Sequence, residues 1–318
     1  MNGSFPGVRD CLFENGFVPI NNESYSAIKR FNADNLLYET TECLIITWSD
    51  EYQTLYRIID GILCIANFYP DGEFSFIINF PCAVTAQSGR GSNLQHVLDT
   101  LYDISIKAGL DTLSIREMEE RFLEDYRQVK GYRMEARYNN DMSEYVYSAD
   151  SLLGLRGKAN EEKRRQLRKF VDKPNVSLRE ITKENFNLCL EMEKKWCSLH
   201  DCDLCHSFVG CSKKTAEIMA DIFDGSVYQG VLGYIDDVPA GYVIFEKVSE
   251  ENAYFYFAKS TVSNFSVYLY YASVQRYLST VKRINLGADV GKPGLRLFKK
   301  RLGVHDLQKK YFCTFIRA

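Results

Sequence analysis

The chain has 318 residues, of which 46% are hydrophobic and 25% are charged, and it contains only seven prolines. This composition is typical of a folded globular protein and excludes a disordered or collagen-like chain, and the length favours two domains. The formal charge of -3 argues against a protein that coats nucleic acid through uniform positive charge, although it allows a local basic patch.

The sequence contains no strong membrane or export signal. Its longest stretches without a charge, 74–89 and 260–275, are interrupted by polar residues, whereas a bilayer requires roughly 20 apolar residues. No basic segment followed by an apolar run opens the chain. We therefore expect a cytoplasmic protein whose ten cysteines are reduced and form no structural disulfides.

The first half begins its sheet with two Asp-Gly turns, Asp60-Gly61 and Asp71-Gly72, between β-rich runs. They predict an antiparallel meander of three strands over 56–78. The elements predicted after the meander are a glycine-bearing loop, a helix, a strand, a helix and a strand pair, at 87–93, 94–101, 112–115, 119–129, and 132–138 with 145–148.

The second half repeats this order. Its predicted meander, aromatic helix, strand, helix and final strand lie at 227–258, 265–278, 283–286, from Lys292 onward, and 309–315. A helical segment precedes each half, at 22–31 and at 183–199. We interpret the chain as two copies of one α+β unit, with boundaries at 1–149 and 150–318.

A meander followed by helix, strand, helix and strand resembles the GNAT (acyl-CoA N-acyltransferase) fold, and its repetition resembles the tandem-GNAT enzymes. The resemblance implies two GNAT-like units, each a mixed sheet flanked by helices. The basic segment 151–170, the strand end Phe257-Ala258-Lys259 and the stretch 285–299 are similar to relatives of the C-terminal domain of phosphatidylglycerol lysyltransferase. The last stretch matches that family's signature at the positions Asp289, Gly291, Gly294, Leu295, Arg296 and Lys299, after the leading Asn285.

This resemblance, which extends to the Fem-type aminoacyltransferases, implies an enzyme that moves an aminoacyl group from tRNA to a lipid headgroup. In such enzymes the cleft lies between the two units, and no cofactor is required. Because the membrane portion of the full lipid synthase is missing here, it implies a soluble amine or hydroxyl acceptor, or a lipid reached from the cytoplasmic face. Two alternatives remain: a CoA-dependent N-acetyltransferase, and a binding protein without catalysis, which is allowed because Leu286-Gly287 replaces the family's Arg-Glu.

Acyl transfer to an amine needs orientation, a base and oxyanion donors. Asp289 is the candidate base or ammonium anchor, and Lys259 and Arg296 are candidate anchors for an anion or carbonyl. The alternative for these three is a buried ion pair. Further candidate substrate contacts are the tyrosines of the aromatic helix and polar residues of the stretch 285–299, namely Tyr268, Tyr270, Tyr271, Asn285, Lys292 and Lys299. The alternative for the tyrosines is ordinary packing.

Two segments suggest anion binding. Lys158, Arg164, Arg165 and Arg168 favour the phosphates of a tRNA acceptor arm, a nucleotide or an anionic lipid, with a solvated linker helix as the alternative. The helix start at 291–294 favours a carboxylate or phosphate, with a plain capped helix as the alternative.

The loop with Gly89, Arg90 and Gly91 lies where a GNAT protein binds acyl-CoA, but its spacing differs by one residue and a simple turn is the alternative. The spacing Cys202-x-x-Cys205, near His200 and His206, allows a zinc site. Four ligands in so short a segment would be cramped, so we predict no metal.

Overall fold

The computed structural model describes residues 6–29, 31, 37–49, 52–69, 72–79, 90–155, 157–199 and 212–318. The chain forms two compact units: unit 1 comprises residues 1–142 and 308–318, and unit 2 comprises residues 143–307. Each contains a mixed sheet with helices, so the predicted α+β class is confirmed. Within the described ranges, no helix is long and apolar enough to cross a bilayer.

The doubled order of elements is also present. The strands are β1 Val18–Pro19, β2 Leu55–Ile59, β3 Ile62–Phe68, β4 Phe74–Asn79, β5 Leu113–Glu119, β6 Tyr132–Tyr147, β7 Val176–Glu180, β8 Tyr228–Ile235, β9 Val238–Lys247, β10 Asn252–Ser260, β11 Arg283–Ala288 and β12 Asp306–Arg317. The helices are α1 Pro6–Glu14, α2 Asn22–Lys29, α3 Glu42–Ser49, α4 Arg90–Lys107, α5 Leu123–Arg127, α6 Ala149–Leu153, α7 Glu161–Leu167, α8 Asn187–Leu199, α9 Ser212–Ile222, α10 Phe265–Tyr277 and α11 Pro293–Arg301.

The sheet of unit 1 has the strand order β1-β2-β3-β4-β5-β12, and β4 and β5 are its parallel pair. Every residue of β3 is buried, because its side chains enter apolar layers on both faces of the sheet. Cys64 and Ala66 lie in the core formed with α1, α4 and α5, whereas Leu63 and Ile65 lie in the core formed with α2 and α3.

The sheet of unit 2 has the order β6-β11-β10-β9-β8-β7, and β10 and β11 are its parallel pair. Gly233 and Gly241 face each other across β8 and β9. A Cβ at Gly233 would lie 2.6 Å from the ring of Phe265, and one at Gly241 would lie 2.8 Å from Leu269. The two glycines therefore allow α10 to lie close against the sheet.

Three elements differ from the sequence predictions. Residues 132–147 form one long strand, β6, where we predicted a strand pair. The charged segment 119–129 is only partly helical, because β5 continues to Glu119 and a 3-10 turn separates it from α5. The final strand was predicted in the second unit, but β12 pairs with β5 in unit 1, since the end of β6 occupies the place beside β11.

Candidate functional site

In unit 2 the second strand of the parallel pair ends in a bulge. Asn285 pairs with Val146 and Ala288 with Glu144, so Leu286 and Gly287 together stand opposite one residue of β6. Gly287 has a φ of 67°, in the left-handed region that glycine adopts without strain. The bulge leads directly into the predicted signature residues.

Asp289, the predicted base, is completely buried and accepts four hydrogen bonds. Arg296 donates from Nε to Oδ2 and from Nη2 to Oδ1, both at 2.8 Å. Tyr145 Oη donates to Oδ2 at 2.6 Å, and the amide of Gly291 donates to Oδ1 at 3.0 Å. Burial alone would raise the pKa of Asp289, but the hydrogen bonds from Arg296, Tyr145 and Gly291 outweigh it and lower the pKa.

A carboxylate with a lowered pKa and four donors around it is poorly suited to accept a proton from a substrate. Asp289 instead connects β6, the turn after β11 and helix α11. We therefore assign Asp289 as a positioning residue that orients Arg296. Tyr145 was not among the residues singled out from the sequence, because its contact with Asp289 joins positions 144 residues apart.

Lys299 joins α11 to the bulge through hydrogen bonds. Its Nζ donates to the carbonyls of Leu286, Gly287 and Ala288 at 2.6, 2.9 and 2.7 Å. Burial lowers the pKa of Lys299 to about 7, against the opposing charges of Asp289 and Glu144. The ammonium group of Lys299 is thus enclosed by the bulge and is bound to three backbone carbonyls.

Asn285 also supports the bulge. Its Nδ2 donates to Glu144 Oε2, and its Oδ1 accepts the amide hydrogen of Gly287 at 2.7 Å. Lys292, just before α11, uses its backbone amide to donate to the carbonyl of Asp289 at 3.0 Å. Asn285, Asp289 and Lys299 thus form one polar network that holds a single backbone turn.

Of the three predicted catalytic residues, Lys259 and Arg296 are accessible. The Arg296 side chain is 28% exposed even though it is paired with Asp289. Lys259 is partly exposed near the end of β10, and its Nζ lies 3.5 Å from the centre of the Trp196 ring on α8.

The tyrosines of α10 serve mainly as packing. Tyr268 stacks on Phe265 with ring centres 5.5 Å apart, and Tyr270 packs edge-on against Phe255 at 5.0 Å. Burial raises the pKa values of both phenols. Tyr271 is partly buried against the same core, so Tyr268 and Tyr271 retain some access to solvent, whereas Tyr270 is buried.

The basic segment divides into exposed and structural residues. Lys158, Arg165 and Arg168 are exposed, and Arg165 also pairs with Glu162 at 2.6 Å. Arg164 instead contacts the segment before α7, where its Nη1 donates to the carbonyls of Leu155 and Gly157. Lys163, which the sequence did not single out, is buried and donates to the carbonyl of Leu302 at the end of α11.

Two segments considered as sites in the sequence lie wholly or partly outside the described residues. Gly89 is one of the undescribed positions, and Arg90 and Gly91 form the first turn of α4. The candidate zinc ligands His200, Cys202, Cys205 and His206 also fall there. Within the described ranges, no cluster of His, Cys, Asp and Glu side chains could hold a metal ion.

Solved structures show the same fold at low sequence identity. A conserved protein of unknown function from Bacteroides thetaiotaomicron is 18% identical, with a TM-score of 0.82 over 94% of this chain and 99% of that one. FemX gives a TM-score of 0.59 at 10% identity, over 93% of this chain and 96% of that one. The structure of L-PGS from Bacillus licheniformis gives 0.58 at 10% identity, over 93% and 92% of the two chains.

A comparison with curated protein sequences found no match. The profile of one family, described as phosphatidylglycerol lysyltransferase, C-terminal, matches residues 80–313. This range includes unit 1 from α4 to most of β12 and all of unit 2, and it contains the network around Asp289. The chain therefore belongs to the phosphatidylglycerol lysyltransferase C-terminal family.

Proposed function

We propose that this protein is an aminoacyltransferase that moves an aminoacyl group from tRNA to an amine or hydroxyl, on a lipid headgroup or a small acceptor. The observation that carries the proposal is the closed network of family signature residues in unit 2. Asp289, Arg296 and Lys299 are bound to one another or to the same turn. Acyl transfer gains most from fixed orientation of its reactants, and this network fixes the backbone beside Arg296.

Five of the predicted cations have a role in the proposal. Arg165, Arg168 and Lys158 contact phosphates of the tRNA, an interaction that weakens as salt rises. Lys259 and Arg296 lie toward the ester, where positive groups stabilise the negative charge that develops on the carbonyl oxygen. Arg164 is left out, because its guanidinium holds the loop before α7.

The binding half of the proposal is tested with aminoacyl-tRNA, uncharged tRNA and acetyl-CoA, each measured across a salt series. The variant Arg165→Ala/Arg168→Ala should weaken tRNA binding and lower the slope of log K against log salt by about 1.5. The matched control Arg179→Ala/Lys183→Ala removes two exposed cations elsewhere in unit 2 and should leave the slope almost unchanged. Equal effects of the two variants would refute the assigned surface, and saturable acetyl-CoA binding without tRNA binding would favour an acetyltransferase.

The chemical half is tested on Lys259 with a labelled aminoacyl-tRNA and anionic vesicles or ethanolamine as acceptors. Lys259→Ala should retain tRNA affinity and lower the single-turnover transfer rate by about 100-fold, the usual effect of losing one oxyanion donor. Lys282→Ala, which removes an exposed lysine paired with Glu251, is the control. If Lys259→Ala transferred the aminoacyl group at the wild-type rate, Lys259 would have no part in the reaction.

A further inference from the structure

Unit 1 contains a bulge in the place equivalent to that of unit 2. Met118 pairs with Tyr311 and Ile115 with Cys313, so Arg116 and Glu117 together stand opposite Phe312. As in unit 2, the bulge lies on the second strand of the parallel pair, and its second residue is left-handed. That residue is Glu117, with a φ of 57°, where unit 2 has a glycine.

A glutamate at this position is costly in two ways. A left-handed φ strains a residue that has a Cβ, and such strain persists mainly where the side chain is needed. The side chain is also enclosed, because Glu117 is only 7% exposed. Burial of a carboxylate is unfavourable unless cations and hydrogen-bond donors compensate for the lost water.

That compensation is incomplete. Lys310 is fully buried between two acids: it forms an ion pair with Glu39, and its Nζ lies 3.9 Å from Glu117 Oε2. Oε2 has no hydrogen-bond partner in the part of the chain that the structure describes. Gln308, 9% exposed, donates its amide to Glu119 at 2.8 Å, but among the described residues its Oε1 has no partner either.

Glu117 Oε2 and Gln308 Oε1, the two oxygens without a hydrogen-bond partner among the described residues, lie on the same face of the sheet. Gln308 and Lys310 are two residues apart on β12, so their side chains lie on the face of the sheet that Glu117 occupies. Once Glu117 is ionised, both oxygens only accept hydrogen bonds, so a ligand that satisfies them must supply hydrogen-bond donors.

Charge favours a cationic ligand. The acids Glu39, Glu117 and Glu119 outnumber the cations that pair with them, Lys310 and Arg121. Arg116, next along the bulge, is paired with Glu73 and lies over the ring of Tyr69. Burial and the neighbouring charge of Glu39 raise the pKa of Glu117 to about 8, against Lys310 and Arg116. The bulge is therefore short of one positive charge when Glu117 is ionised.

We propose that the β5 bulge of unit 1 is a binding site for a primary ammonium group, which donates hydrogen bonds to Glu117 Oε2 and Gln308 Oε1. Binding ionises Glu117 and releases its proton to the solvent, so one charge enters the site as one proton leaves. The proposal concerns binding in unit 1 and does not rest on the transfer reaction proposed for unit 2.

The test uses ethanolammonium as the probe and tetramethylammonium, a cation without N–H groups, as its control. Ethanolammonium should shift the backbone amides of Glu117 and Phe312 in NMR spectra, with a Kd of about 1 mM or tighter. Near pH 7 the binding enthalpy should differ between phosphate and Tris buffers by the heat of one released proton, a measurement made on the wild-type protein.

Glu117→Gln keeps the shape of the side chain and should weaken ethanolammonium binding at least about tenfold. Glu120→Gln, an exposed acid in the turn after β5 that pairs with Lys309, is the matched control and should bind normally. Equal binding of the two cations, equal binding by the two variants, or no amide shift with ethanolammonium up to about 100 mM would overturn the proposal.

Discussion

Both units have a bulge on the second strand of their parallel pair, but the polar groups around the two bulges differ in how fully they are hydrogen-bonded. In unit 2 the bulge of β11 has glycine at its left-handed position, and the surrounding polar groups are saturated: Asp289 accepts four hydrogen bonds and Lys299 donates three. In unit 1 the bulge of β5 has Glu117 at that position, and one of its carboxylate oxygens has no donor within the described residues. A saturated network positions its neighbours, whereas an unsaturated buried carboxylate is available to a ligand.

Buried charge is also balanced differently. At the bulge of unit 1 two acids surround one buried lysine, Lys310, whereas at the bulge of unit 2 the buried Lys299 is surrounded by three backbone carbonyls. Burial raises the pKa of Glu117 and lowers that of Lys299, so each side chain favours its neutral form more than it does in the unfolded chain. The stabilities contributed by Glu117 and by Lys299 should therefore change with pH in opposite directions.

The largest effect is expected from Lys310→Met. The substitution leaves Glu39 and Glu117 buried without their shared cation, and breaking a buried ion pair from one side costs about 3–5 kcal/mol. Urea unfolding near pH 7 measures the loss, which should shrink in acid as the carboxylates take up protons. A loss below about 1 kcal/mol would show that water already reaches the pair.

Asp289→Asn is the corresponding change in unit 2. It removes the charge that faces Arg296 and replaces one acceptor with a donor, so we expect a loss of about 2–3 kcal/mol. Because Arg296 is partly exposed, the loss should be smaller than in unit 1. Hydrogen exchange of the amides of 289–292 measures the local effect, and unchanged protection of Gly291 would contradict the positioning role.

The contributions of Glu117 and Lys299 to the free energy of unfolding should depend on pH with opposite signs. Between the ordinary glutamate pKa of 4.5 and about 8, native unit 1 holds a proton that the unfolded chain has lost, so its stability falls as pH rises. Between about 7 and the ordinary lysine pKa of 10.5, native unit 2 lacks a proton that the unfolded chain retains, so its stability rises with pH.

Glu117→Gln and Lys299→Met isolate the two contributions. The free energy of unfolding of wild type minus that of Glu117→Gln should fall from about pH 5 to about pH 8, and the difference for Lys299→Met should rise above about pH 7. Urea titrations at several pH values measure both. If both free-energy differences changed with pH in the same direction, the opposite pKa shifts of Glu117 and Lys299 would be contradicted.

Substitutions at the left-handed positions of the two bulges should change stability by a smaller amount. Gly287→Ala places a Cβ at a φ of 67° and should destabilise unit 2 by about 1 kcal/mol. Glu117→Gly removes the same strain and the buried carboxylate from unit 1, and should stabilise it by a similar amount. Thermal unfolding of the two variants measures the signs, and a destabilised Glu117→Gly would show that Glu117 holds unit 1 together.

The smallest effect on stability is expected from Arg165→Ala/Arg168→Ala. Both side chains are exposed, and the pair of Arg165 with Glu162 is a surface contact, so unfolding should change by less than about 0.5 kcal/mol. Comparison of circular dichroism melts with the tRNA binding series separates a binding role from a folding defect. A large loss of stability would remove these variants as tests of binding.

Local signals predicted most of the fold. The Asp60-Gly61 turn and the apolar run after it identified the meander of unit 1, and Pro293 marked the start of α11. The single strand β6 was missed because Asn139, Asn140 and Asp141 are typical of a turn, whereas the chain stays extended through them. Local preference did not decide the structure there.

The candidate sites were only partly accessible to sequence reasoning. The signature around Asp289 is compact and was recognised, but its role as base was inferred without knowledge of the hydrogen bonds that Tyr145 and the Gly291 amide donate to it. Glu117 gave no local signal, since its environment depends on Lys310, which pairs with Glu39 over 271 positions. One clue was present: Arg116-Glu117 in the first unit is the dipeptide that the family signature has where this chain has Leu286-Gly287.

The most direct test of the difference between the bulges is the pKa of Glu117, measured by NMR on a protein with ¹³C-labelled glutamate side chains and assigned with Glu117→Gln. Burial and the charge of Glu39 predict a carboxyl group that titrates near 8 and whose pKa falls when ethanolammonium is added. A pKa near the ordinary 4.5, unaffected by ethanolammonium, would contradict both the unsaturated carboxylate and the ammonium site.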